Sequence, residues 1–161
     1  MKLLEVKGIR VDRLSNSPAM MLREVDAPHR SIEIFIGSPE AASIHAAMEG
    51  AEMPRPLTHD LFVLTLERLR VDIDHVSLIE VRNGTYYAEL VLKSVTEEHR
   101  LSCRPSDAIA IAVRAECPVY ASEELLDQVG EISDEVTESE ILDEFKEFID
   151  TIRPEDFEIG D

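Results

Sequence analysis

The 161-residue sequence has no tryptophan, three tyrosines and five phenylalanines, an aromatic share of 5%. That is thin material for a base-stacking platform, and the aromatics are not interleaved with basic residues. Two cysteines, Cys103 and Cys117, fit neither a zinc spacing nor a CxxC redox motif. They predict free thiols in a reducing, cytoplasmic setting. No apolar run approaches the length of a membrane span. The opening Met1-Lys2-Leu3-Leu4-Glu5-Val6-Lys7 is charged too early for a signal peptide. Membrane contact is therefore not expected. Positive charge is scarce, with 16 Lys and Arg against 34 Asp and Glu and a net charge of −18. Such a balance argues against tight, non-specific binding to a phosphate backbone. A P-loop, GxSxG, HExxH and the Rossmann glycine pattern are all absent. No organic cofactor is expected.

What is present is a globular body followed by an acidic end. Hydrophobic residues make up 44% of the chain, and its length suits one domain with a real core. Residues 122–161 carry 16 acids and 2 bases, whereas residues 1–121 carry 18 acids and 14 bases. The acidic stretch reads as a solvated helix, a partner site or a screen over a basic face. Residues 131–140 are acidic and poor in large apolar groups, which predicts a linker. A helical period returns over Ile141–Ile152, in Ile141, Phe145, Phe148, Ile149 and Ile152, and Pro154 ends it. The expected division is a folded domain over 1–130 and an acidic linker with an amphipathic helix over 131–161.

Along the body, alternation predicts strands over residues 2–12, with a bulge at Gly8, over Ala19–Val25 and over Ser31–Ile36. Gly37-Ser38-Pro39-Glu40 then opens a helix, with Ser38 as N-cap and Pro39 at its first position. Thr58 reads as the N-cap of a second helix whose apolar face is Leu61, Leu64, Thr65 and Leu69. His75–Val81 and Thr85–Lys93 flank Asn83-Gly84, the strongest hairpin signal in the chain. His99–Cys103 is the next strand. Pro105-Ser106-Asp107 starts a helix that stays apolar until Arg114 and so belongs in a core. A short strand at Val119-Tyr120 and a turn or two of helix over Glu123–Val129 follow. Three strands and then a proline-opened helix occur twice. The expected fold is therefore α+β, a mostly antiparallel sheet from two similar β-β-β-α halves, plus the C-terminal acidic helix.

The polar residues that stand out sit at helix starts: Glu40, Arg55, His59, Asp60, Arg104 and Asp107. Glu40, Asp60 and Asp107 together offer hard oxygen ligands for Mg²⁺ or Mn²⁺. His59, Asp60 and Asp107 are candidates for acid–base work, and Arg55 and Arg104 for holding phosphoryl charge. Each also has a purely structural account, because carboxylates are favoured in a first helical turn without any function. Arg55, between two prolines, can pair with Glu52 or a tail carboxylate.

Arg55-Pro56-Leu57-Thr58-His59-Asp60-Leu61, Gly84-Thr85-Tyr86-Tyr87-Ala88-Glu89-Leu90 and Arg104-Pro105-Ser106-Asp107-Ala108-Ile109-Ala110-Ile111-Ala112 together resemble the bifunctional nuclease domain family. Ile34-Phe35-Ile36-Gly37 with Glu40-Ala41 is similar to its first helix entry, and Phe145-Lys146-Glu147-Phe148-Ile149 to the end of its bacterial members. The similarity runs over residues 3–130 in one order. It implies an α+β fold and hydrolysis of DNA or RNA. Arg55, His59, Asp60, Arg104, Ser106 and Asp107 match its motifs, with Arg55, Arg104 and Ser106 as substrate contacts. A phosphate groove would be local, joining Arg55 and Arg104 with Arg30 or Arg100, or would form only between subunits. The other expectation is a non-catalytic interaction module using its acidic C-terminal helix. Exposed strand edges and that helix both need cover, so a homo-oligomer is expected.

Overall fold

The computed structural model describes residues 1–132 together with Lys146, Ile149 and Asp150. Its first half is β1 (Lys2–Asp12), β2 (Ser17–Glu24), β3 (Ser31–Phe35) and α1 (Ser38–Met48). The helix α2 (Thr58–Leu69) follows, and then β4 (Asp72–Arg82), β5 (Thr85–Lys93), β6 (Glu98–Cys103) and α3 (Pro105–Ala115) repeat the first pattern. The short strand β7 (Val119–Ala121) and the helix α4 (Glu123–Val129) complete the body. The two β-β-β-α halves are thus present, with α2 between them.

All strands lie in one seven-stranded sheet of order β3-β2-β1-β7-β4-β5-β6. The three-residue β7 joins the halves, antiparallel to β1 and parallel to β4. Every other pairing is antiparallel. Local sequence sets the details. The β1–β2 register slips between Val6 and Gly8, where Gly8 takes φ of 135°, a bulge that a side chain would strain. Asn83 and Gly84 both take positive φ, 50° and 77°, the turn whose twist matches the flanking strands. Ile32 and Ile34 in β3 and Ala88, Leu90 and Leu92 in β5 are buried, as their alternation predicts.

The apolar run of α3 is the middle of the core. Ala108, Ile109, Ala110, Ile111 and Ala112 are all buried, and the helix packs on β4 and β5 with α1 and α2 against it. Pro105 sits in its first turn, and Arg104 is the N-cap. The other two starts lie one residue away from expectation. Gly37 caps α1 and Leu57 caps α2, so Ser38 and Thr58 are already helical.

The facing of α2 corrects the sequence reading. Its buried residue is Val63, with Leu66 half-buried, whereas Leu61, Leu64, Thr65 and Leu69 are exposed. Val63 and Leu66 continue the helical face that starts at His59 and Asp60. The polar contacts of those two residues, described below, choose the face that turns inward. The edge strand β6 is exposed along its length apart from Cys103. Most of the expected helix over Ile141–Ile152 lies outside the described residues. Of the described residues there, Ile149 packs against the core, partly buried.

Arg30 also departs from expectation. It is no part of an open groove but is 7% exposed, beside Glu24 at 1%. Its Nε donates to Glu24 Oε2 at 3.0 Å, and its two terminal nitrogens reach Glu123 at 2.9 Å and Asp127 at 2.6 Å. The cluster ties the β2–β3 corner to α4. Arg30's hydrogen bonds hold the Glu24 carboxyl below its ordinary range against the opposing pull of burial. The pair therefore stabilises the fold above the ordinary Glu value of 4.5, and that stability is lost as pH falls toward the lower folded value. Glu24→Gln is expected to lower Tm by several degrees at pH 7 and to flatten the acid limb of stability. Thermal denaturation of both proteins from pH 7 to pH 3 measures this, and parallel curves would count against it.

Candidate active site

Three helix starts meet because α1 and α2 both pack against α3. At the start of α3, Arg104 grips Asp107 with two bonds, Nε to Oδ2 at 2.7 Å and Nη2 to Oδ1 at 3.0 Å. The third nitrogen, Nη1, reaches Glu40 Oε1 in the first turn of α1 at 3.0 Å. Asp107 Oδ1 also meets His59 Nε2, from the first turn of α2, at 3.2 Å. The other ring nitrogen, His59 Nδ1, lies 2.9 Å from Ser43 Oγ on α1. Ser43 Oγ is in turn 3.2 Å from Arg114 Nη2. Arg114 closes the network through an ion pair from its Nε to Asp60 Oδ1, while Asp60 Oδ2 accepts the Leu57 N–H at 2.8 Å. One connected path thus runs Glu40, Arg104, Asp107, His59, Ser43, Arg114, Asp60.

The direction of the bonds follows from the groups. A carboxylate only accepts and a guanidinium only donates. Asp107 therefore accepts from His59 Nε2–H, and with the proton on Nε2 the other nitrogen, Nδ1, accepts from the Ser43 hydroxyl. Ser43 Oγ accepts from Arg114. Arg104's hydrogen bonds, opposed by burial and joined by the bond from His59, hold the Asp107 carboxyl below its ordinary range. For Asp60, burial pulls upward, but the bonds from Arg114 and the Leu57 N–H outweigh it and the carboxyl also stays low. Arg104 is raised by the same pairing with Asp107. Both carboxylates are ionised at neutral pH.

The three carboxylates expected to share a metal ion do not form a ligand set. Glu40 and Asp107 are both bonded to Arg104 and Asp60 to Arg114. Among the described residues, no group of three or more His, Cys, Asp or Glu side chains is placed to hold one ion. Ser106 is 7% exposed, so it does not belong to the accessible groups. Arg55 is exposed in the loop before α2 and makes no ion pair among the described residues. Arg100 pairs with Glu98 and Glu89 at the sheet edge. The thiols are not nucleophiles at neutral pH, because burial pushes Cys103 and Cys117 up to about 11. Both cysteines are free.

A sequence profile described as the bifunctional nuclease domain matches residues 20–134, which span α1, α2, α3 and every residue of the network. The chain belongs to the bifunctional nuclease domain family. It is 39% identical over 163 residues to an uncharacterized protein of Mycobacterium tuberculosis, covering 96% of both chains. It is 25% identical over 136 residues to bifunctional nuclease 1 of rice, 75% of this chain and 40% of that protein. Bifunctional nuclease 1 of Arabidopsis thaliana is 26% identical over 111 residues, 67% of this chain and 34% of that one. The chain thus spans well under half the length of these plant relatives.

In this bifunctional nuclease domain, two network residues escape a reading of the sequence: Ser43 and Arg114. Their signal is helical spacing. Ser43 lies one turn after Glu40, and Arg114 two turns after Asp107, so each shares a face with a residue that does stand out. Arg114's side chain is 9% exposed, and it also donates to the Ala110 and Ser43 carbonyls at 2.8 and 3.2 Å. A charge so enclosed is tolerated because all three of its nitrogens donate hydrogen bonds. Arg114→Met keeps the apolar stem but leaves Asp60 without its cation. It is expected to cost about 2–3 kcal/mol of stability. Urea unfolding at pH 7 measures that cost, and an unchanged midpoint would mean that α2 is held by apolar contacts alone.

Proposed function

We propose that this protein hydrolyses phosphodiester bonds of DNA or RNA at the network around His59. The observation that carries the reading is the His59–Asp107 pair set directly beside Arg104, whose side chain is 65% exposed. Asp107 orients the imidazole and supports its protonated form during proton transfer. Arg104 offers a planar donor fork to a phosphate, and exposed Arg55 adds charge from the neighbouring loop. The profile match and the plant relatives named as bifunctional nucleases support the same substrate class.

Glu40 has a defined part in this reading. It occupies Arg104 Nη1 as a phosphate oxygen would, so substrate must displace one carboxylate bond to use the full fork. The network is also nearly balanced: Glu40, Asp60 and Asp107 face Arg104 and Arg114. Local donors rather than a broad basic surface then select the phosphate, in keeping with the net charge of −18. No step is routed through Mg²⁺ or Mn²⁺, because the carboxylates do not converge. Two partly buried free thiols suit a reducing compartment. Among the described residues, no helix is long and apolar enough to cross a membrane. The second reading, a protein-interaction module that oligomerises, is favoured by one observation. Leu57, Leu61, Leu64 and Leu69 leave an exposed apolar face along α2.

Fluorescent single-stranded RNA and DNA, assayed with Mg²⁺, Mn²⁺ or EDTA, separate the readings. His59→Ala and Asp107→Asn, checked for folding by circular dichroism, are expected to lower cleavage by about 10²–10⁴-fold. Glu40→Gln frees one Arg104 donor and is expected to lower KM several-fold. Cleavage unchanged in both site variants would overturn the assignment. A folded, inactive wild type that sediments as an oligomer would favour the interaction module. Cleavage abolished by EDTA would require a metal site that these residues do not form.

A further inference from the structure

We infer that Ser43 is the nucleophile of this site and that hydrolysis passes through a covalent nucleotide phosphodiester on Ser43 Oγ in α1. The inference rests on the phosphodiesterase reading above and names the attacking atom. Three features of the geometry carry it. Ser43 Oγ meets His59 Nδ1 at 2.9 Å, and His59 Nε2 meets Asp107 Oδ1 at 3.2 Å. This is the nucleophile, base and orienting carboxylate order that activates a serine, with the two ring nitrogens exchanged relative to the commonest arrangement. Arg114 Nη2 stands 3.2 Å from the same oxygen. The hydroxyl is thus polarised in the required sense, its proton toward a base and its oxygen beside a positive charge.

The surroundings also choose the ester. Arg104, mostly exposed, bonds the same Asp107 oxygen as His59, and Arg114 bonds Ser43 Oγ. Two guanidiniums in one network, Arg114 on the hydroxyl and Arg104 open to solvent beyond Asp107, suit a phosphate diester and not a neutral carboxylic ester. Competing nucleophiles are poorer. Cys103 and Cys117 are held protonated by burial, and Ser106 is itself buried.

The chemistry balances in two steps. Ser43 Oγ attacks phosphorus while its proton passes to His59 Nδ1. The bond from phosphorus to the leaving nucleoside oxygen breaks, and that oxygen takes the proton from Nδ1. Water then attacks the phosphorus of this seryl nucleotide diester, giving a proton to Nδ1. The Oγ–P bond breaks, and Ser43 recovers the proton. The sum is one diester and one water giving one phosphomonoester and one alcohol. Asp107 stays ionised throughout and stabilises the imidazolium in each half.

The test uses the wild-type protein. It is treated with diisopropyl fluorophosphate, which phosphorylates an activated serine with loss of fluoride. Separately, it is mixed with single-stranded RNA or DNA and quenched in acid within one turnover. Both samples are digested and mapped by mass spectrometry. A phosphoryl adduct on Ser43 from either reagent upholds the proposal, and none from either overturns it. Adduct formation is expected to fall by at least about 10²-fold in His59→Ala. Cleavage by Ser43→Ala is expected to fall on the order of 10³-fold or more. Cleavage without any adduct would leave the nuclease reading standing with water as nucleophile. An adduct on Ser43 without cleavage of either nucleic acid would keep the nucleophile and remove the nuclease reading.

Discussion

The structure depends on burying α3, a helix whose middle is apolar all round and whose two ends carry charge. Ala108 to Ala112 are enclosed by β4 and β5 on one side and α1 and α2 on the other. Asp107 and Arg114 travel with that helix and cannot be taken from water alone, because an unpaired charge in such surroundings is costly. Each therefore draws a partner from a neighbouring helix. Asp107 takes His59, and Arg114 takes Asp60 and Ser43. The same contacts settle which face of α2 turns inward, which is why Val63 is buried while Leu61 and Leu64 are not.

Two guanidinium–carboxylate clusters serve this molecule differently, and exposure separates them. Around Arg30, three carboxylates take bonds from all three guanidinium nitrogens, and both Arg30 and Glu24 are buried. Little of that pair is open to solvent, and its bonds fasten the β2–β3 corner to α4. Around Arg104, the guanidinium is open to water, and one of its bonds goes to Glu40, which a competing anion can replace. The adjoining imidazole is bonded on both nitrogens in a single consistent direction. A closed cluster stabilises. An open one with a directed proton path can do chemistry.

The acidity of the chain belongs with this picture. A protein with 34 acids and 16 bases cannot hold nucleic acid by a general field. On the proposed function, recognition rests on a few donors acting at short range, where the surrounding protein screens less than water does. Arg104 is held by its two bonds to Asp107, so an anion that displaces Glu40 meets a fork already oriented.

Much of this was legible in the sequence because it follows from local pattern. Alternation marked the strands, Asn83-Gly84 the hairpin, Gly8 the bulge, and Pro39 and Pro105 the helix starts. The apolar run after Asp107 announced a buried helix. The motifs around Arg55 and Arg104 pointed to the family and to His59, Asp60 and Asp107 as residues to watch. Partnership was not legible. Carboxylates in first turns look alike, so Glu40, Asp60 and Asp107 read equally well as metal ligands, and Arg30 looked as available as Arg104. Ser43 and Arg114 looked like ordinary helix residues. The contacts that decide these matters join residues 48, 64 and 71 positions apart. By itself, the sequence determined the elements, their order and the burial of α3, because backbone preference and hydrophobic period act over a few residues. Only the tertiary structure decided which cation meets which carboxylate and which hydroxyl meets the imidazole. Those choices are made when packed helices exclude water and each charge must take whatever partner the packing brings within reach.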